Sequence, residues 1–134
     1  MSTIKLQVIS PEKVIYNGEC TMVEYNTTEG YVGVLPGHIA MTQIIAPGRL
    51  TIYEENNEKP ITAALISGVV TIMPDTITIL AEIINIKDEI DLDRAKQAKE
   101  RAQKRIEEKT EGTDIERAYK ALERAETRIS LVED

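Results

Sequence analysis

The sequence predicts a β-sandwich of about eight to ten strands, residues 1–87, followed by a C-terminal antiparallel α-helical hairpin, residues 88–134. Two observations carry this reading. First, the composition breaks near residue 87: residues 1–87 hold all five prolines, six of the seven glycines and 14 charged residues, whereas residues 88–134 hold 25 charged residues, one glycine and no proline. Second, the apolar period changes from two before the break to three and four after it.

Strands are read from alternation. Ile4-Lys5-Leu6-Gln7-Val8, Val69 to Met73 and Thr76 to Ala81 alternate apolar with polar residues, the pattern of a half-buried strand. Turn signals stand at Asn17-Gly18, Glu29-Gly30, Pro36-Gly37, Pro47-Gly48, Glu55 to Glu58, Ser67-Gly68 and Pro74-Asp75. Trp and Phe are absent, so Ile, Val, Leu, Met and some of the five tyrosines must fill the core.

The first helix is predicted to start at Asp91, whose carboxylate can accept from free first-turn amides, and to run to about Glu108. Its apolar stripe is Leu92, Ala95, Ala98 or Lys99, Ala102 and Ile106. Gly112 is placed as a C-cap glycine, and Thr113 with Glu116 reads as a capping box opening the second helix. There Ile115, Ala118, Leu122, Ala125, Ile129 and Val132 form a heptad stripe facing the first helix. Alanine dominates this seam. A buried methyl is worth ~0.8 kcal/mol against roughly 1.5–3 for a buried Leu or Ile, so the hairpin is weakly held and is a candidate switch.

Arg94, Arg101 and Arg105 step by 7 and 4 along the first helix, and Arg117, Arg124 and Arg128 repeat those steps along the second. Each triplet lies on one face. It reads either as a solvated row balanced by Glu100, Glu107, Glu108, Glu123 and Glu126, or as half of a polyanion clamp, since the guanidinium fork binds phosphate oxygens in a bidentate manner.

Other chemistry is poorly supported. A net charge of −7 argues against nucleic-acid binding and a polybasic membrane patch. No apolar run approaches the roughly 18–20 residues of a membrane span, and the N-terminus lacks a secretory pattern, so no direct membrane insertion is expected and the cytosol is the default compartment. Cys20 allows no internal disulfide and reads as a buried small hydrophobe; with His38 the only histidine, the usual zinc sites cannot form. No nucleophile motif, phosphate loop or calcium loop is present, so no catalytic residue and no metal ligand is assigned. A binding or regulatory protein is the leading class.

The segment Gly33-Val34-Leu35-Pro36-Gly37-His38, the Ser67-Gly68 pair before a strand ending at Pro74-Asp75, Thr76 to Ala81 and the Ala/Arg-rich hairpin together resemble the epsilon subunit of bacterial rotary ATP synthases. The resemblance covers nearly the whole chain. It implies a non-catalytic stalk subunit whose sandwich sits on the gamma subunit and touches the c-subunit ring. The hairpin would fold down or extend into the catalytic alpha/beta head and inhibit ATP hydrolysis, at the cytoplasmic face of the bacterial plasma membrane. Glu29, Gly30 and Tyr31 are similar to the family's ring-facing loop, and His38 falls on its gamma-facing side.

The resemblance also implies ATP as a regulatory ligand, alone or with Mg2+, through Ile90, Asp91, Arg94 and Ala95, with Arg101, Arg124 and Arg128 completing the site. Asn85 departs from the acidic residue that ATP-binding relatives carry there. Read from the residues alone, Asp91 can accept from an amino group such as adenine's while Arg101, Arg124 and Arg128 meet the phosphates. Two alternatives remain at this point. One is a free-standing ATP-binding sensor without a rotary partner; the other, ranked last, is a small hydrolase using Asp91 or Asp93.

Overall fold

The computed structural model describes residues 2–108 and 114–133, which form two compact units, residues 1–84 and residues 85–134. The first holds strands β1 (Ile4–Ile9), β2 (Val14–Cys20), β3 (Met22–Thr27), β4 (Gly30–Val34), β5 (Met41–Ile44), β6 (Gly48–Tyr53) and β7 (Ile61–Ile72), with most of β8 (Thr76–Ile86). A 3-10 turn at Lys87–Glu89 then leads into α1 (Leu92–Glu108) and α2 (Ile115–Glu133).

The strands run in the order β2-β1-β8-β7-β6-β3-β4, with β5 pairing on β7. All the ladders with assigned register are antiparallel except β1 on β8, which is parallel over Lys5–Ile9 and Thr76–Leu80. Strand β7 carries the sandwich's topology. Its first half pairs with β6, from Ile61 to Leu65, and its second half with β5, from Val69 to Ile72. The alternation in β1 and β8 points Leu6, Val8, Ile77 and Ile79 into the core, where all four are 0% exposed.

Two of the expected turns are instead inside strands. Ser67-Gly68 lies in β7 where the strand changes neighbours, and Gly68 adopts φ +151°. A Cβ there would stand 2.3 Å from the Leu80 carbonyl oxygen, so glycine is required by close approach of β8 rather than by a reversal. Asn17-Gly18 lies in β2, opposite Gln7 and Leu6 of β1. The Tyr16 side chain covers Gly18, with its hydroxyl 2.9 Å from where a Cβ would be. Glu29, Pro36-Gly37, Glu55 to Glu58 and Pro74-Asp75 do fall between strands, while Gly30 opens β4 and Gly48 opens β6.

The core departs from expectation in one respect: none of Met22, Met41 and Met73 is buried, and Ile, Val, Leu, Ala, Cys20 and Tyr25 fill it. Tyr25 is fully enclosed because its hydroxyl donates to Gln43 Oε1 at 2.5 Å, which satisfies its one polar atom. Cys20 is 0% exposed, and burial together with Glu54 pushes its thiol up to about 11.

In the second unit the predicted start of α1 is observed: the Arg94 amide donates to Asp91 Oδ1 at 3.2 Å, and Ala95 N–H to the Asp91 carbonyl at 3.0 Å. Helix α2 is capped one residue later than expected. Asp114 Oδ1 accepts from the Arg117 amide at 3.1 Å, so Asp114 holds the cap position assigned to Thr113. The Gly112 and Thr113 readings themselves lie outside the described residues. The helices pack against one another, and Lys96, near the start of α1, pairs with Glu133 at the end of α2 at 3.5 Å, as antiparallel packing requires. Ala95 and Ala102 are buried in α1, and Ala118, Ala125, Ile129 and Leu131 in α2. All but Leu131 belong to the predicted stripes.

Candidate functional site

The helical unit contains an open cleft of about 450 Å³. Its floor is small-residue surface from both helices: Ala95, Ala98 and Ala102 on α1, Ala121 and Ala125 on α2. A seam of methyl groups holds the helices together while leaving room between their longer side chains, so the feature that makes the hairpin weak also makes it hollow. Arginines reach the cleft from both sides, Arg94, Arg101 and Arg105 from α1 and Arg124 and Arg128 from α2. Ile90, Asp91 and Glu89 close the end at the start of α1.

All seven residues expected to form a nucleotide site, Ile90, Asp91, Arg94, Ala95, Arg101, Arg124 and Arg128, line this one cleft. Arg117 does not, although its spacing from Arg124 equals that of Arg94 from Arg101. The two rows therefore converge over part of their length only. Asp91 has a structural duty beside any ligand contact, because one carboxylate oxygen already caps α1. Glu89 is similarly engaged, its Oε1 accepting from the Ile86 amide at 3.0 Å.

Sequence reasoning missed the central contact of the site. Arg128 Nε donates to Asn85 Oδ1 at 2.9 Å, joining residues 43 positions apart, and Asn85 itself lines the cleft. Arg128 is half-buried, and its guanidinium is held below its ordinary value first by that burial and then by the neighbouring Arg124 charge. It remains protonated at neutral pH, as arginine does in proteins. Arg105 was read as part of a row and Glu89 was not singled out; nothing local marked either as lining a cavity.

On the sandwich, Glu29, Gly30 and Tyr31 stand at the β3–β4 turn, where Gly30 has φ +113° and Thr27 Oγ1 donates to the Gly30 carbonyl at 2.7 Å. Tyr31 is 62% exposed and its hydroxyl accepts from the Arg49 amide at 3.0 Å. His38 lies beyond the opposite end of β4, exposed, in a turn closed by its amide to the Leu35 carbonyl. These four residues thus form two separate surfaces. Leu35 and Ile39 beside His38 are 56% and 81% exposed, so that surface is markedly apolar.

Among the described residues no group of three or more His, Cys, Asp or Glu side chains could hold a metal ion, and no helix is long and apolar enough to cross a membrane.

The comparisons with known proteins agree on both units. Residues 3–86 match the family described as ATP synthase, Delta/Epsilon chain, beta-sandwich domain, and residues 88–133 match ATP synthase, Delta/Epsilon chain, long alpha-helix domain. The ATP synthase epsilon chain of Alkalihalophilus pseudofirmus is 40% identical over 106 residues, 79% of this chain and 78% of the relative. That of Ruminococcus albus is 36% identical over 132 residues, 98% and 97% of the two chains. A chain in the OSCP/F1/c-ring structure of the Euglena gracilis mitochondrial ATP synthase shares the fold, with a TM-score of 0.83 and 24% identity over 95% of this chain and 79% of that one. Sandwich, helical hairpin and near full-length matches to epsilon chains lead to one conclusion: the chain belongs to the ATP synthase delta/epsilon family.

Proposed function

We propose that this chain is the non-catalytic epsilon-type subunit of a rotary ATP synthase whose helical hairpin is a nucleotide-responsive regulator. The sandwich is the part that binds the central stalk. Its Glu29-Gly30-Tyr31 turn faces the c-subunit ring and the apolar surface around His38 faces the gamma subunit, which places the chain peripherally at the cytoplasmic face of the membrane. The hairpin, when extended, reaches the catalytic alpha/beta head and restrains hydrolysis.

ATP is the ligand that keeps the hairpin folded. The observation carrying this reading is the convergence of Asp91, Arg94, Arg101, Arg124 and Arg128 on one cleft between two helices joined by an alanine seam. Arginines from both helices would hold the phosphates, so a bound nucleotide bridges the helices. A ligand that binds only the folded form stabilises it by RT ln(1 + [L]/Kd), ~2.7 kcal/mol at 100 times Kd. That is comparable with burying one large aliphatic side chain, and sufficient to decide the state of a weakly packed pair.

The test is calorimetric titration of the full chain with millimolar ATP and ADP, with and without magnesium. Arg94→Ala and Arg124→Ala are expected to weaken ATP binding and Arg117→Ala to leave it unchanged. Absence of ATP-dependent heat, or equal loss from Arg117→Ala and Arg94→Ala, would reduce the arginine rows to solvated surface.

A further inference from the structure

Strand β4 is the last in the strand order, pairs with β3 alone, and has glycine at two of its five positions. Of those five residues only Val34 is buried. An edge strand with so little side-chain packing is held weakly by its ladder. The β3–β4 turn that leads into it is nevertheless closed from within. The hydroxyl of the buried Thr27 donates to the Gly30 carbonyl at 2.7 Å and accepts from the Glu29 amide at 3.1 Å.

Two arms tie this turn to the sheet. On the β3 side the Thr28 amide donates to the Ile44 carbonyl at 3.2 Å, the Ala46 amide to the Asn26 carbonyl at 3.1 Å, and Asn26 Nδ2 to the Pro47 carbonyl at 3.0 Å. On the β4 side, among the described residues, the polar link is Tyr31. Its side chain crosses β3 to reach β6, a strand that is not its neighbour, and its hydroxyl accepts from the Arg49 amide at 3.0 Å. The β3–β6 ladder runs only to Glu24 and Thr51, so Arg49 lies past its end and the phenol oxygen stands in for a strand carbonyl. Gly48 makes the seat for the ring. A Cβ there would stand 2.5 Å from the Tyr31 hydroxyl and 2.6 Å from Asn26 Cβ, so a side chain at position 48 would push Tyr31 off β6.

We propose that Tyr31 is the positioning residue of this turn: by stapling β4 to β6 across β3 it presents the exposed Glu29 carboxylate to the c-subunit ring in one orientation. This rests on the reading of the turn as ring-facing and deepens it by separating the residue that touches the ring, Glu29, from the one that holds it in place. A turn already fixed loses less conformational freedom when a partner docks, so the staple raises affinity without adding a contact. Tyrosine suits the task because its rigid ring carries a hydrogen-bonding oxygen at its far end.

The experiment combines hydrogen exchange at the Arg49 amide of the full chain with its affinity for the gamma subunit, measured with and without the c-subunit ring. Tyr31→Phe removes one hydroxyl and keeps the aromatic ring. It is expected to quicken Arg49 exchange about fivefold, the scale of one neutral hydrogen bond, and to weaken binding to the gamma–ring assembly by about the same factor while leaving binding to gamma alone unchanged. Gly48→Ala, which unseats the ring and retains the hydroxyl, should reproduce both changes. Glu29→Gln should weaken binding to the assembly, and in that background Tyr31→Phe should cost little more. A tyrosine that touched the ring directly would instead lose the same factor in both backgrounds.

Three results would overturn the proposal. If Arg49 exchanges as slowly in Tyr31→Phe as in the unchanged chain, there is no staple. If exchange quickens but binding to the assembly is unchanged, or falls equally with Glu29 and with Gln at position 29, Tyr31 positions nothing, and the ring-facing reading survives alone. If the ring adds nothing to the affinity for gamma, the ring-facing reading falls and the proposal falls with it.

Discussion

Replacing Asp91 separates two duties that the structure assigns to one side chain. Its carboxylate caps α1 through the Arg94 amide at 3.2 Å, and it also lines the cleft. Asp91→Ala removes both. Loss of an N-cap costs about 1 kcal/mol, which is about fivefold in an opening equilibrium. Asp91→Asn preserves the cap, because asparagine caps as well as aspartate does, and loses only the interaction of a negative charge with the helix dipole, about 0.3 kcal/mol at an exposed, screened position. The assay is amide hydrogen exchange of the first turn of α1 in the full chain, with and without millimolar ATP. Without ligand, Asp91→Ala should exchange about fivefold faster there while Asp91→Asn stays within about twofold. With ATP, both variants should lose protection relative to the unchanged chain, because neither presents a carboxylate to an amino group. Equal exchange in Asp91→Ala and the unchanged chain would show that the cap contributes nothing. Equally fast exchange in Asp91→Ala and Asp91→Asn would show that charge, and not the cap bond, holds the turn.

Two further outcomes concern the sandwich. Gly68→Ala places a methyl 2.3 Å from the Leu80 carbonyl oxygen at φ +151°, so β7 and β8 must separate; a loss of more than about 3 kcal/mol in urea unfolding is expected, and near-neutral behaviour would refute the close-approach argument. Alkaline stability follows from Cys20, whose buried thiol is raised from 9.0 to about 11. The unfolded chain loses this proton first, so the stabilisation is present below pH 9, declines as pH rises through about 11 and then levels off. Tyr25, raised from 10.0 to about 12 by burial, extends the decline upward. Urea midpoints measured from pH 8 to 12 should fall across this range, and Cys20→Ala should remove the earlier part of the fall.

The sequence by itself determined whatever depends on neighbours along the chain. The change in proline, glycine and charge content near residue 87, the alternation in β1 and β8, the alanine stripes and the Asp91 cap are local patterns, because a strand repeats every two residues and a helix turn every 3.6. The Leu-Pro-Gly-His segment pointed to the family for the same reason, and the Ile90-Asp91 and Arg94-Ala95 pairs matched its nucleotide motif. Glycine misled where its cause was not local. Ser67-Gly68 looks like a turn by residue preference, yet it lies inside β7, and its glycine is there because another strand's backbone passes where a Cβ would stand.

Periodicity left to the tertiary structure which arginines share a cavity. The two rows have identical spacing, and only the family resemblance set Arg124 and Arg128, inside the cleft, apart from Arg117, outside it. The antiparallel register of α1 on α2 makes that distinction, and it is set by how the alanine seam packs. The Asn85 to Arg128 bond has the same origin: its partners lie 43 residues apart and meet only because α2 returns to the point where the chain enters the helical unit.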